Sequence, residues 1–380
     1  MKTVKKKVGL VLPGGGARGA YQVGVLKAFL EITNTKSQSP FDIFSGTSAG
    51  AINGAFLASQ AHIFDESVTS LIDVWSNFTS KKVYKTDPIT MLKSSMHWFL
   101  TIISGGILIS NPTSLLDNQP LKNLLRETIK FPDIQNNIES SVIASLAVTS
   151  ASYKTRKSCT FFQASNSVKN WKKTHREGKK TSINLDHLMA SVALPLIFPA
   201  VSIKNEYFGD GAMRQATPLS PAIRLGAEKL MIISAKETDD RFQFNNPGKQ
   251  YPSFAKITGY MLEALFLDGL YSDIERLNRI NQIIKNSGDR GIKTNNKTMK
   301  FVDYLIISPS EDLNEIARKH YQSMPLSIRL LLQGLGLLKD SKSELLSFLL
   351  FESVYTSELI HLGYRDGIGK KEEIADFINR

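Results

Sequence analysis

Near its N-terminus the chain passes twice through one short pattern: an apolar run, a tight glycine turn, then a helix of small residues. Residues 7–12 (KVGLVL) read as a buried strand, 13–16 as a glycine loop, and 18–31 as a helix with Val25, Leu26, Phe29 and Leu30 on one face. Residues 41–45 read as a second strand, and 49–59 as a small-residue helix that begins directly after Gly46-Thr47-Ser48. Strand, turn and helix in immediate repetition predict an α/β fold, with a mainly parallel sheet covered by helices on both faces.

The remaining elements fit that frame. Pro120 opens a helix carrying Leu121, Leu124, Leu125 and Ile129, a favourable first-turn position for proline. Residues 142–149 and 158–163 read as strands, and 185–193 as a helix that stops before Pro195. Residues 201–203 and 206–208 flank Lys204-Asn205 as a hairpin leading into Gly209-Asp210-Gly211, and 230–234 and 304–308 read as two further buried strands. The polar stretch 286–300 reads as a loop. Beyond Pro309 only helices are predicted, at 326–338, 344–355 and 372–378. The resulting division is a catalytic region at 8–226, the remainder of the α/β domain at 227–310, and a C-terminal helical extension at 311–380.

Composition sets outer limits. With 380 residues, 42% of them hydrophobic and 22% charged, the chain can bury a large core, and disorder is not expected. The formal net charge of +12 calls for an anionic partner, either an acidic membrane face, an acidic substrate or nucleic acid. The single cysteine, Cys159, excludes an internal disulfide and reads as a buried thiol in a strand. The basic N-terminus resembles a leader, but Pro13 and three glycines interrupt its apolar run too early, so a first strand is expected. The most apolar segment, 96–110, contains Gly105-Gly106 and falls short of the roughly 18–20 residues that span a bilayer. These features predict a cytoplasmic or peripheral membrane location.

Three motifs carry chemistry. Gly14-Gly15-Gly16-Ala17-Arg18-Gly19 lies between a strand and a helix, and it also fits the dinucleotide fingerprint. A dinucleotide site would want an acid at the end of the second strand, whereas Asp42 is near the start of its strand. The other use of such a loop is an oxyanion hole: glycines let amides converge, and Arg18 adds a permanent positive charge. Gly46-Thr47-Ser48-Ala49-Gly50 is a G-x-S-x-G pentamer between a strand and a helix, the setting of a nucleophilic serine. The plainer reading is an N-cap serine in a glycine turn. Asp210-Gly211-Ala212 alone would be a turn; with the other two it supplies the missing base.

The ordered set GGGxRG, GTSAG and DGA resembles the patatin-like phospholipases of bacterial type, from about Val8 to about Gly226. The stretch Ala190-Ser191-Val192-Ala193-Leu194-Pro195 is similar to the family's approach to its aspartate. The resemblance implies a three-layer α/β/α sandwich and a lipid acyl hydrolase without cofactor. In it Ser48 is the nucleophile, Asp210 the general base, and Gly14, Gly15, Gly16 and Arg18 form the oxyanion hole. Gly19, Gly46, Gly50, Gly211 and Ala212 would support the motifs.

Two alternatives stay open. An α/β-hydrolase triad would need a histidine after Asp210, and only His320 and His361 qualify. A catalytically inactive lipid-binding module would need no chemistry at all. No spacing of His, Cys, Asp and Glu predicts a metal site. The partner expected is a lipid or phospholipid, with contact to an anionic membrane through the basic run 169–180, which includes Trp171, and the apolar segment 96–109. No nucleic-acid recognition motif accompanies the basic run, and the sequence gives no oligomeric state.

Overall fold

The structure, a computed structural model, describes residues 6–90, 114–236, 269–287, 292–294, 297–334 and 344–379, with isolated positions between them. Strand β1 (Val8–Leu12) lies in the middle of a parallel group and is buried at every position. Such burial on both faces is what an all-apolar strand requires. β1 pairs in parallel with β2 (Ile43–Thr47), and β2 with β3 (Ser145–Ser152). On its other side β1 pairs in parallel with β9 (Lys229–Ile233), which pairs with β12 (Asp303–Ile307).

Beyond β3 the sheet turns mixed. β4 (Ser158–Ala164) runs antiparallel to β3, and β6 (Arg176–Lys180) parallel to β4. The short β5 (Trp171–Lys172) closes that edge. β7 (Val201–Ile203) and β8 (Glu206–Asp210) form the expected hairpin, with Lys204 and Asn205 both at positive φ as a two-residue turn of this hand requires. A separate antiparallel hairpin of β10 (Ile292–Thr294) and β11 (Lys297–Met299) occupies part of the stretch expected as loop.

Helices cover both faces, giving the three-layer α/β/α arrangement with its mainly parallel centre. On one face lie α1 (Gly19–Thr33), α2 (Ala49–Ser59) and α3 (Phe64–Ser76), joined in one core with Leu313, Leu345, Phe348, Leu359 and Phe377 from the C-terminal helices. The opposite face packs Val11, Ile43, Ala147 and Phe162 against Leu219, Ala222, Leu270 and Ile274. Residues 313–377 therefore complete the main core. Among the described residues no helix is long and apolar enough to cross a membrane.

Several expected boundaries moved. β2 begins and ends two residues later than expected, because Asp42 is the ladder's entry: its backbone N–H donates to the Val8 carbonyl and its carboxylate accepts from the Val8 N–H at 2.8 Å. β3 starts at Ser145, since Val142 and Ile143 both donate to the Asn137 carbonyl in the turn before it. The helix expected at 344–355 is broken into Glu344–Leu349 and a longer helix, Ser353–Gly369, that sequence reading missed. That longer helix is legible only from its partner. Gly24 of α1 and Gly363 face each other's backbones, so that a Cβ on Gly24 would stand 2.0 Å from the Ile360 carbonyl oxygen, and one on Gly363 2.2 Å from that of Tyr21.

This backbone-to-backbone contact predicts that Gly24→Ala and Gly363→Ala each lower stability by about 3 kcal/mol, since neither helix can retreat without opening the core. Denaturant midpoints at constant m-value measure it. Losses under about 0.5 kcal/mol for both variants would show that the helices slide apart freely.

Candidate active site

The site is assembled along one edge of β3. β2 runs parallel to β3 and ends at Thr47, opposite Thr149. The next residue of β3, Ser150, is opposite Asp210, the last residue of β8, which runs antiparallel. Two strands thus meet head to head on the same edge, and their C-terminal ends deliver Ser48 and Asp210 to one place. Motifs separated by more than 160 positions become neighbours through strand register alone.

Ser48 sits between β2 and α2 at φ 53°, ψ −128°, a backbone conformation that side-chain-bearing residues rarely adopt. Its hydroxyl makes no capping bond to the α2 amides, which removes the N-cap explanation for the residue. The turn closes only because its neighbours lack side chains. A Cβ on Gly50 would lie 2.0 Å from the Leu12 carbonyl oxygen, and one on Gly46 2.3 Å from that of Gly50.

The stretch 190–195, noted in the sequence without a mechanical role, holds both residues. The Ser48 N–H donates to Ser191 Oγ at 2.9 Å, and that hydroxyl donates to the Thr149 carbonyl at 2.7 Å. The Asp210 N–H donates to the Ala193 carbonyl at 2.8 Å. Asp210 is fully buried. Its Oδ1 accepts from the Ala212 N–H at 2.9 Å, which fixes the carboxyl's rotation, while Oδ2 is buried with no hydrogen-bond partner of its own. Burial pushes the Asp210 carboxyl up to about 7, against the opposing pull of the Ala212 N–H and the Ser48 hydroxyl.

The glycine loop follows β1. Gly16 has φ 56°, and a Cβ there would meet the Phe348 carbonyl oxygen at 2.3 Å. Among the described residues the amides of Gly14 and Gly15 donate to no acceptor. Gly16, Ser48 and Asp210 line one cavity of about 800 Å³, counting the space at its mouth. Its other walls are almost wholly apolar and include Ile52, Phe56, Leu71, Trp75, Leu121, Leu125, Leu194 and Phe351. A pocket of this size and lining suits an extended apolar group.

Arg18 lies apart from that cavity's lining, completely buried. Its Nε and Nη2 donate to Ser347 Oγ at 2.9 and 2.8 Å, Nη2 also to Asn314 Oδ1 at 2.8 Å, and the guanidinium stacks on Phe348 at 4.3 Å. Sequence reading assigned Arg18 only to the oxyanion field. The structure adds a strut that fastens the C-terminal segment against the glycine loop. Ser347 and Phe348 carried no sequence signal for this, being 329 positions or more away.

No histidine lines the cavity among the described residues. His320 pairs with Glu358, His361 is exposed, and His187 forms a capping box with Asn184. Cys159 is buried in β4, and burial pushes its thiol up to about 12. No group of three or more His, Cys, Asp or Glu residues is placed to hold a metal among the described residues. The basic run 169–180, expected to contact an anionic membrane, contains the β5–β6 edge hairpin. Trp171 stacks on Phe162 at 4.7 Å, and Lys179 pairs with Glu177 at 2.9 Å, leaving Lys169, Lys172 and Lys173 exposed. The apolar segment 96–109 lies outside the described residues, save 96–97, 100–101 and 104.

Comparisons with known proteins find similar stretches. A stretch of 58 residues is 53% identical to lysophospholipase nte1 of Aspergillus terreus, covering 15% of this chain and 4% of that protein. Over 99 residues the chain is 38% identical to the neuropathy target esterase sws of Drosophila persimilis, covering 25% of this chain and 6% of the relative. The matched stretches are thus a small part of these much longer relatives. Among solved structures, VipD from Legionella pneumophila aligns over 97% of this chain and 67% of its own at 13% identity, with a TM-score of 0.38. The patatin-like phospholipase family model matches residues 10–223, more than half the chain and every motif of the cavity. The chain belongs to the patatin-like phospholipase family.

Proposed function

We propose that this chain is a lipid acyl hydrolase in which Ser48 and Asp210 act as a two-residue catalytic unit. The observation that carries the reading is the cavity: a strained serine and a buried carboxyl line one wall of a space that is otherwise apolar. Ser48 Oγ attacks the ester carbonyl carbon while its proton passes to Asp210, and the carbonyl oxygen becomes an oxyanion held by the glycine-loop amides. Collapse breaks the bond to the alcohol, which leaves with the proton from Asp210. Water then attacks the acyl-serine, gives its proton to Asp210, and releases the fatty acid as Ser48 recovers the proton. The acyl chain occupies the apolar cavity throughout.

Asp210 suits the base role because burial lifts it to about 7, where a carboxylate is basic enough to take a serine proton and about half ionised at neutrality. With Oδ1 fixed by Ala212, Oδ2 is the atom that receives the proton. The absence of histidine from the cavity lining among the described residues favours this dyad over a triad. Contact with an anionic membrane belongs to the same reading, supported by the net charge of +12 and the exposed Lys169, Lys172 and Lys173.

Ser48→Ala should abolish both fluorophosphonate labelling and hydrolysis of soluble and lipid esters. Asp210→Asn should lower turnover on the order of 10³-fold or more with the fold retained, while His320→Ala and His361→Ala keep most of it. A folded histidine variant that loses activity to the same degree would replace the dyad with a triad. A lipid panel read by mass spectrometry identifies the ester cleaved.

The raised carboxyl gives two pH signatures of fixed sign. Activity on a neutral ester needs ionised Asp210, so kcat/KM should rise with pH through about 7 and then level. A flat profile between about pH 5.5 and 8.5 would remove Asp210 as the base. Stability runs the other way. Between its ordinary value of 3.8 and about 7 the folded state holds a proton that the unfolded chain has lost, so this group's contribution weakens as pH rises. Asp210→Asn should therefore melt above wild type at pH 8, with the gap closing toward pH 4.

A further inference from the structure

A second pocket lies on the face of the sheet opposite Asp210. Directly paired residues share a face, and successive residues alternate. Ser150, Asp210 and Cys159 are paired across β3, β8 and β4 on one side. The row one step along, Thr47, Thr149, Thr160 and Gly178, faces the other way across four adjacent strands. A run of small hydroxyl-bearing residues here departs from the apolar packing around it, where Ala147 and Phe162 belong to the core. The row is hydrogen-bonded. Thr47 Oγ1 donates to Gln215 Oε1, Gln215 Nε2 donates to Thr149 Oγ1 at 3.3 Å, and the Thr149 and Thr160 hydroxyls bond at 3.2 Å.

This row ends in a pocket of about 230 Å³, counting the space at its mouth, walled by Ser158, Thr160, Arg176, Gln215, Thr217 and Ser220 together with Trp171 and Pro221. None of these residues lines the Ser48 cavity. Arg176 is half-buried, and its guanidinium donates to Thr217 Oγ1 as its one side-chain partner among the described residues. A second guanidinium stands near: Arg224 is held below its ordinary range by burial and by the Arg176 charge, and its buried Nε has no hydrogen-bond partner. The carboxylate within electrostatic reach of Arg176 is Asp273, whose Oδ2 accepts from the Leu219 N–H at 3.1 Å and whose Oδ1 faces Arg276 at 3.4 Å. One guanidinium, four hydroxyls and one amide present donors from several directions to a small volume, with Arg224 behind the Trp171 ring at 5.9 Å. That set matches a tetrahedral oxyanion, which accepts several hydrogen bonds and takes guanidinium in a two-pronged fit.

We propose that this pocket binds a phosphate-class oxyanion, with Arg176 as its principal ligand and Thr160, Ser158 and Ser220 as hydroxyl donors. The site lies behind the nucleophile turn and shares Gln215 with Thr47, the residue that precedes Ser48. The inference is independent of the hydrolase reading, because it rests on the opposite face of the sheet.

Thermal unfolding of the whole chain tests it without any activity measurement. Inorganic phosphate at about 10 mM should raise Tm by about 2 °C over potassium chloride of equal ionic strength. Phosphate also stabilises proteins generally by exclusion from their surfaces, so the difference between proteins is the decisive quantity. The rise should vanish in Arg176→Gln and shrink in Thr160→Val, whose near-isosteric side chain keeps the packing should the arginine variant fail to fold. Glycerol 3-phosphate in place of inorganic phosphate distinguishes the source. An equal or larger rise assigns a phosphorylated headgroup, and a rise with inorganic phosphate alone assigns the free ion. No rise in wild type, or an equal rise in both variants, overturns the proposal.

Discussion

The site depends on one constraint: two strands that converge on a single edge of β3. That edge offers backbone hydrogen bonds in a fixed sequence of positions, first to β2 and then, one residue later, to β8. A strand's register cannot drift by one residue without turning its side chains to the other face. The separation between Ser48 and Asp210 is therefore set by ladder geometry. Loop conformation, which varies far more readily, has little part in it. The 190–195 stretch then fastens both ends, through Ser191 to one amide and Ala193 to the other.

The same edge explains the chemistry's electrostatics. A carboxyl placed at the end of a strand, in the interior and without a cation beside it, pays the full desolvation cost of its charge. The fold thus holds a group whose proton affinity has moved toward neutrality by burial, and no histidine lines its cavity among the described residues. Such a site trades native stability for basicity, and the strained Ser48 backbone adds to the same side of the balance.

The sequence made the motif half of this site legible and left the supporting half hidden, for a physical reason. Gly46, Ser48, Gly50 and the glycine loop are local requirements: a sharp turn needs small neighbours wherever it occurs, and the residue pattern shows it. The hairpin at 201–210 was equally local, set by Lys204 and Asn205. Ser191, Ser347 and Gln215 have ordinary identities, and only tertiary register gives them partners. The helix Ser353–Gly369 escaped notice because its apolar face is interrupted by glycines that serve close contact with α1. The basic hairpin is the opposite case. Its charges are conspicuous in sequence, but Lys179 is paired within the sheet and Trp171 is packed against Phe162.

The Arg18 strut has a consequence in time as well as in space. The guanidinium that backs the glycine loop is completed by Ser347, 329 residues further along the chain. At a synthesis rate of roughly 5 to 20 residues per second, the N-terminal motifs wait about 15 to 65 seconds on the ribosome for that partner to emerge. Until then Arg18 is a cation without its intended acceptors, and the wall formed by Phe348 is missing from beside Gly16. The wall beside Gly16 thus takes its finished shape only once residues 347 and 348 have emerged, long after the Ser48 turn has been made.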